Sequence, residues 1–394
     1  MTGSVLLAIA LAALAGLAAG RAWAKARRRD LFGRSAFRSS PHYTQGLDYL
    51  AAGESARAIG ELAKVAREEP EAFEILLVLG NLYRETGQVE RAMQVHQGLL
   101  GRGDLARSER AHALVCLGMD QRAAGFIDRA TQTFQDVLEM EPKNIHALTG
   151  LQKLHEEQRR WREAFEVQTR LSRLRKSNDG LVLGHIQAEI GREALASGHR
   201  EEAEKAFRTA LALDKRVFPA HLGLADLALS GDPRRAAAIL QDAIGVAPER
   251  AYLAFDRLSS AYSASGEPSR FGALCESILT RDPRDWRARL ALARHLRAEG
   301  RPEEAYGLLL RALTENPHVL LVHLETWRTL QGLGVHDENV ARYLRACDES
   351  VFYRDPHVCT SCRYRADDML WRCPHCHEWN TFVEERLGPT AGAV

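Results

Sequence analysis

The sequence predicts an all-α chain in three parts: an N-terminal helix able to span a membrane, a long solenoid of helical hairpins, and a small cysteine-held module at the C-terminal end. Three observations predict it. Residues Gly3 to Gly20 carry no charge, one helix–turn–helix pattern recurs from residue 40 to about 348, and four of the seven cysteines fall in two Cys-x-x-Cys pairs. Composition agrees, because 45% hydrophobic and 27% charged residues suit a globular helical body. Lys plus Arg (53) nearly balances Asp plus Glu (52), so net charge gives no reason to expect a nucleic-acid partner.

The uncharged run, mostly Ala and Leu, would rise about 27 Å as a helix, near one hydrocarbon thickness. Arg21, Lys25, Arg27, Arg28 and Arg29 follow it, and the positive-inside rule then places the body on the cytoplasmic side. Ala22-Trp23-Ala24 has the form of a signal-peptide cleavage site, but a signal peptide carries its cations before the apolar run, so an uncleaved single-pass anchor is the expectation. Ala8, Ala12, Gly16 and Gly20 recur every fourth residue, a stripe through which two such helices could pair, so a homodimer is among the expectations.

In the body, Gly53, Gly87, Gly125, Arg159, Gly198, Gly231, Gly266, Gly300 and Gly334 mark turns spaced by 34, 38, 34, 39, 33, 35, 34 and 34 residues. Five positions after seven of these turns stands an alanine (58, 92, 130, 164, 203, 236 and 305), small enough for two helices to cross closely. Pro70, Pro142, Pro248, Pro283 and Pro317 each lie seventeen residues after a turn, where proline ends the second helix. A period near 34 with this punctuation resembles tetratricopeptide repeats, which implies stacked hairpins with a concave protein-binding surface. Eight clear repeats and a degraded ninth are expected.

At the C-terminal end, Cys359-Thr-Ser-Cys362 and Cys373-Pro-His-Cys376 supply four thiolates, a closed tetrahedral set that favours structural zinc. Iron fits the same ligands, as in rubredoxin. Tyr364, Leu370, Trp371, Trp379 and Phe382 offer only a small apolar cluster, so the metal must hold this module together. His357, His375 and His377 are read as surface residues, and Cys116, Cys275 and Cys347 as small core residues. No catalytic constellation emerges. His155-Glu156 opens like a zinc-protease motif, but Arg159 stands where the second histidine belongs, so both are read as helix surface and the chain as a non-enzyme.

The expected boundaries are an anchor over 1–20, a basic linker over 21–38, repeats over 39–350, the four-cysteine module over 351–386 and a tail over 387–394. Anchor, repeats and Cys-Pro-x-Cys end together resemble the lipopolysaccharide assembly protein B (LapB) family, most specifically at residues 43–50 and 370–379. The resemblance implies a rubredoxin-like module and an inner-membrane adaptor that brings the deacetylase LpxC to the protease FtsH. A general scaffold for lipopolysaccharide assembly factors, without proteolytic control, is the alternative. One departure stands out: rubredoxin knuckles usually carry Gly after the second cysteine, where φ is positive, and Arg363 and His377 occupy those positions. In the groove, the repeat frame places Arg84, Arg122, Lys153, Arg192, Arg287, Arg294 and Arg297 against fewer acids, Glu74, Glu156 and Asp256, which leaves two readings, scattered solvated charge or a mildly basic surface that attracts acidic partner segments. The module is expected to pack on the last repeats or to present a contact of its own.

Overall fold

The computed structural model describes residues 40–316, 319–334 and 357–385. The expected membrane run, the basic segment behind it, Pro317, Cys347, the expected second half of the ninth repeat and the tail lie outside the described residues. Among those described, no helix is long and apolar enough to cross a membrane.

The chain divides into two compact units, Met1–Gln158 and Arg159–Val394. The first contains α1 (Pro41–Ala51), α2 (Ser55–Glu68), α3 (Phe73–Glu85), α4 (Val89–Leu100), α5 (Arg107–Ala123), α6 (Ile127–Met140) and α7 (Ile145–Glu157). The second contains α8 (Trp161–Arg175), α9 (Gly180–Ala196), α10 (Arg200–Leu213), α11 (Phe218–Leu229), α12 (Pro233–Val246), a 3-10 segment Pro248–Ala254, α13 (Phe255–Ala264), α14 (Ser269–Arg281), α15 (Trp286–Ala298), α16 (Pro302–Glu315) and α17 (Leu320–Gly332). A three-stranded antiparallel sheet closes it, with β1 (His357–Cys359) between β2 (Arg365–Ala366) and β3 (Phe382–Glu384).

Eight of the nine turn positions carry the left-handed conformation that the repeat frame requires. Gly53, Gly87, Gly125, Gly198, Gly266, Gly300 and Gly334 have φ between 74° and 85°, and Arg159, the one non-glycine in the series, has φ of 56°. Gly231 departs from the pattern for a local reason. Pro233 confines the preceding residue to extended backbone, and Asp232 instead caps α12 through its side chain, accepting from the Arg235 amide.

Second helices bury the same stripe, i, i+4 and i+7, in repeat after repeat: Ala58, Leu62, Val65; Ala130, Phe134, Val137; Ala236, Leu240, Ala243; Ala305, Leu309, Ala312. The alanine lets two backbones approach, and the larger middle residue fills the space behind it. Phe271 takes the alanine position in the seventh repeat and packs edge-on to Phe255 at 6.2 Å. In two repeats the middle residue is polar, His96 and Gln168, and both are buried.

Glycines in the first helices make room for these wedges. A methyl group on Gly118 would stand 2.7 Å from the Phe134 ring, and one on Gly150 closer still, so the ring is gripped from both sides and has nowhere to move. Gly60, on the exposed face of α2, meets nothing within 4 Å. Gly150→Ala should therefore destabilise the first unit by about 1–3 kcal/mol through overpacking. Gly60→Ala should stabilise it by about 0.5–1 kcal/mol through helix propensity. Urea midpoints of the two variants check this pair, and a shift of the same sign in both would contradict the wedge.

Candidate metal centre and its seat

The four predicted ligands come together. The sulfurs of Cys359, Cys362, Cys373 and Cys376 all lie within 4.8 Å of one another, with Cys359 to Cys376 and Cys362 to Cys373 both at 3.6 Å. Sulfurs about 2.3 Å from a central ion define a tetrahedron with edges of roughly 3.8 Å, so the donor set fits a metal ion. His357, His375 and His377 stay outside this cluster. His375 is exposed and stacks on Tyr364 at 6.2 Å, whereas the half-buried His357 faces the Tyr252 hydroxyl at 3.4 Å.

The backbone repeats one device at each Cys-x-x-Cys. The amide of Arg363 donates to the Cys359 carbonyl and that of His377 to the Cys373 carbonyl, at 2.9 and 3.0 Å. Cys359 and Cys373 donate in turn to the carbonyls of Tyr364 and Glu378, both at 2.9 Å. Closing so tight a turn forces the residue after the second cysteine to positive φ, 63° at Arg363 and 62° at His377, despite their side chains. Charge also argues for a cation. Burial opposes ionisation of Cys359, but the Thr381 hydroxyl and the amides of Cys362 and Ser361 outweigh it and draw the thiol down to about 6. Burial and the neighbouring thiols push Cys362 up to about 12. The site accommodates one negative charge easily, and further thiolates call for a metal.

The second knuckle is flanked by Trp371 and Trp379, held as a hairpin by the Arg372–Trp379 bridge and by the Asn380 amide, 2.6 Å from the Trp371 carbonyl. Both indoles leave the module and enter the repeats. Trp379 lies edge-on to Trp161 of α8 at 6.1 Å and stacks on His185 of α9 at 5.5 Å. Trp371 stacks on Phe218 of α11 at 6.3 Å, and the Arg250 guanidinium covers it at 5.3 Å while donating to Asn380 Oδ1 at 2.5 Å. Arg287 of α15 closes the far side with an ion pair to Glu384, its guanidinium 4.3 Å from the Tyr252 ring. The seat thus runs from α8 to α15. It reaches the eighth repeat through Arg287, within the last repeats that the sequence suggested, but its aromatic receptors stand on α8, α9 and α11, so much of it lies on earlier helices.

The chain carries a match to the rubredoxin metal binding domain at residues 357–384 and matches to the tetratricopeptide repeat at 43–111, 189–231 and 272–319. Lipopolysaccharide assembly protein B of Escherichia coli (strain K12) is 25% identical over 385 residues, covering 95% of this chain and 96% of that protein. The same-named protein of Haemophilus influenzae is 24% identical, with the same coverage of both chains. The chain is similar to lipopolysaccharide assembly protein B along nearly its whole length. Among solved structures, the C-terminal part of a tetratricopeptide repeat-containing protein from Cytophaga hutchinsonii covers 64% of this chain and 99% of that one, at 15% identity and a TM-score of 0.44.

Against this LapB-like plan, two readings need correction. His155 and Glu156 are buried, not helix surface. The groove cations are largely neutralised: Arg84 pairs with Asp120, Arg122 with Glu157, Arg192 with Glu189, Arg287 with Glu384, and Arg294 and Arg297 with the buried Glu325. The receptors of the module, Trp161, His185, Phe218, Arg250 and Tyr252, escaped sequence reasoning. One signal was available, since Trp371 and Trp379 are too large for the module's own core to cover.

Two outcomes follow from this geometry. Arg363→Gly and His377→Gly each relieve a left-handed residue and should stabilise the metal-loaded module by about 0.5–1 kcal/mol, raising the chelator concentration needed to empty it. His185 is the second case. Burial, with Arg250 adding to it, holds its imidazole down at about 4 against an ordinary 6.5, and neither ring nitrogen has a hydrogen-bond partner among the described residues. The unfolded chain therefore takes up a proton first, so the stability His185 allows is complete above pH 6.5 and is lost as pH falls toward 4, at most about 3 kcal/mol. Urea midpoints of the metal-loaded protein at pH 7 and 5.5 should fall with acidity, and in His185→Phe that fall should be smaller.

Proposed function

We propose that the chain is a non-enzymatic inner-membrane adaptor that limits lipopolysaccharide synthesis by presenting the deacetylase LpxC to the protease FtsH. The observation that carries this reading is the similarity to lipopolysaccharide assembly protein B over 95% of the chain, which includes both the repeats and the metal module. Gly3 to Gly20 supplies a single-pass anchor with the body on the cytoplasmic side, supported by the cations at 21–29. The module holds zinc in place of a redox iron, a choice supported by the closed four-thiolate shell and by side chains at both knuckle positions. An adaptor of this kind works by raising local concentration, so anchor and partner-binding surface must belong to one molecule.

Metal analysis should find about one zinc per chain, and Cys373→Ser should lose it. Stoichiometric iron would instead make the module a redox centre. For the function, the native gene is replaced by versions lacking residues 1–20, carrying Cys373→Ser, or lacking repeats, and LpxC half-life is measured in each. Each should lengthen it. Unchanged LpxC turnover after complete deletion would remove the proteolytic role and leave general scaffolding of lipopolysaccharide assembly.

A further inference from the structure

In the first unit, far in sequence from the metal module, the second repeat departs from the apolar wedge of its neighbours. His96 of α4 occupies the position that Leu62 and Phe134 fill in adjacent repeats, and it is completely buried. Its Nδ1 meets Asp120 Oδ2 at 2.5 Å, and Asp120, equally buried, receives Arg84 on its other oxygen at 2.8 Å. Along α5, His112, Cys116 and Asp120 follow at four-residue steps and so share one face. Cys116 thus lies one turn after His112 and one turn before Asp120, the residue that holds His96. Beside it opens a cavity of about 380 Å³, lined by Cys116 and His112 together with Arg84, Ser108, Asn144 and Met119 among others.

A structural account covers only part of this cluster. Asp120 and Arg84 satisfy His96, and a leucine there would need neither. What remains is a thiol on one helix face with His112 and the His96-bound Asp120, at a cavity wall. Burial opposes its ionisation, but His112 and His96 outweigh burial and bring Cys116 down to about 7. Burial likewise disfavours His96 protonation, yet Asp120 and Cys116 hold that imidazole up at about 9, so it remains a cation at neutral pH. Cys275 of α14, equally covered, has no such neighbours and is pushed up to about 12 by burial and the carboxylates of Asp285 and Glu276. Two buried cysteines in one chain thus differ widely in their readiness to ionise, Cys116 near neutrality and Cys275 far above it.

We propose that Cys116 is a modification site for small hydroperoxides, assembled by the Asp120–His96 pair and His112 and reached through the adjoining cavity. The thiolate attacks one peroxide oxygen, and a sulfur–oxygen bond forms as the oxygen–oxygen bond breaks. Sulfur gives up two electrons to the peroxide and becomes a sulfenic acid. The other oxygen departs with the bonding pair as hydroxide, or as alkoxide from an organic hydroperoxide, takes a proton by way of His112 and leaves as water or the alcohol. The new hydroxyl stands in the cavity with Arg84 and Asn144, so an oxidant alters the face that the second and third repeats present.

The experiment treats the metal-loaded full chain with hydrogen peroxide, traps sulfenic acid with dimedone, and follows the peptides containing Cys116 and Cys275 by mass spectrometry. At pH 7 Cys116 should be modified at least about tenfold faster than Cys275, with a pH profile half-risen near 7. His112→Gln replaces an exposed side chain and should move that midpoint upward while the protein stays folded. Equal rates at the two cysteines, modification of Cys116 only in denaturant, or a midpoint near 9 in the unaltered chain would each overturn the proposal.

Discussion

The C-terminal part of the molecule depends on four sulfur atoms within 4.8 Å of one another. Around them the three short strands bury little besides Val358, Phe382 and two of the cysteines themselves, too little apolar surface to order such a fragment alone. A metal ion supplies what the core lacks. Once both knuckles are closed, the hairpin between Trp371 and Trp379 has a defined shape, and only then do two indoles project at the spacing of His185 and Phe218. Metal binding and docking onto the repeats are therefore one event seen from two sides. The ion pair of Arg287 with Glu384 and the cover of Arg250 over Trp371 orient the module, whereas the aromatic contacts supply most of the buried area.

In the repeats the controlling feature is steric. Alanine at the helix crossing, burying no polar group and losing no rotamer freedom, allows the close approach against which each wedge packs. The left-handed turn before it aims the second helix back along the first. Arg159 adopts that turn at a cost of about 1 kcal/mol or more relative to glycine.

Much of this was legible because it is local. Turn glycines, crossing alanines and terminating prolines act within one hairpin, so spacing alone located them, and even Arg159 fell into frame. The four cysteines were legible because ligand chemistry admits few residue types. The seat of the module was not, since nothing in the spacing of Trp161, His185, Phe218 and Arg250 relates them to a hairpin 130 residues beyond Arg250. The groove charges failed for a related reason. Arg84 and Arg122 find acids 36 and 35 residues on, and Arg257 finds Asp226 31 residues back, each about one repeat away. Counting charges within single first helices overlooks pairing between stacked ones. A search for opposite charges one period apart would have found it.

The seat on α8 to α15 also bears on the order in which the chain acquires its structure. Hairpin contacts close short loops and form without waiting for distant partners, so each repeat can organise as soon as it and a neighbour exist. The contacts of Tyr252 with His357 and Arg250 with Asn380 span 105 and 130 residues, and they have no surface to form on until the intervening helices have stacked. The module accordingly arrives last, as a clasp laid across an array already built. Contacts made after the folding transition state slow unfolding more than they speed folding. Loading the metal should thus act chiefly on the lifetime of the assembled second unit, turning an additive stack of repeats into one that opens only when its clasp is released.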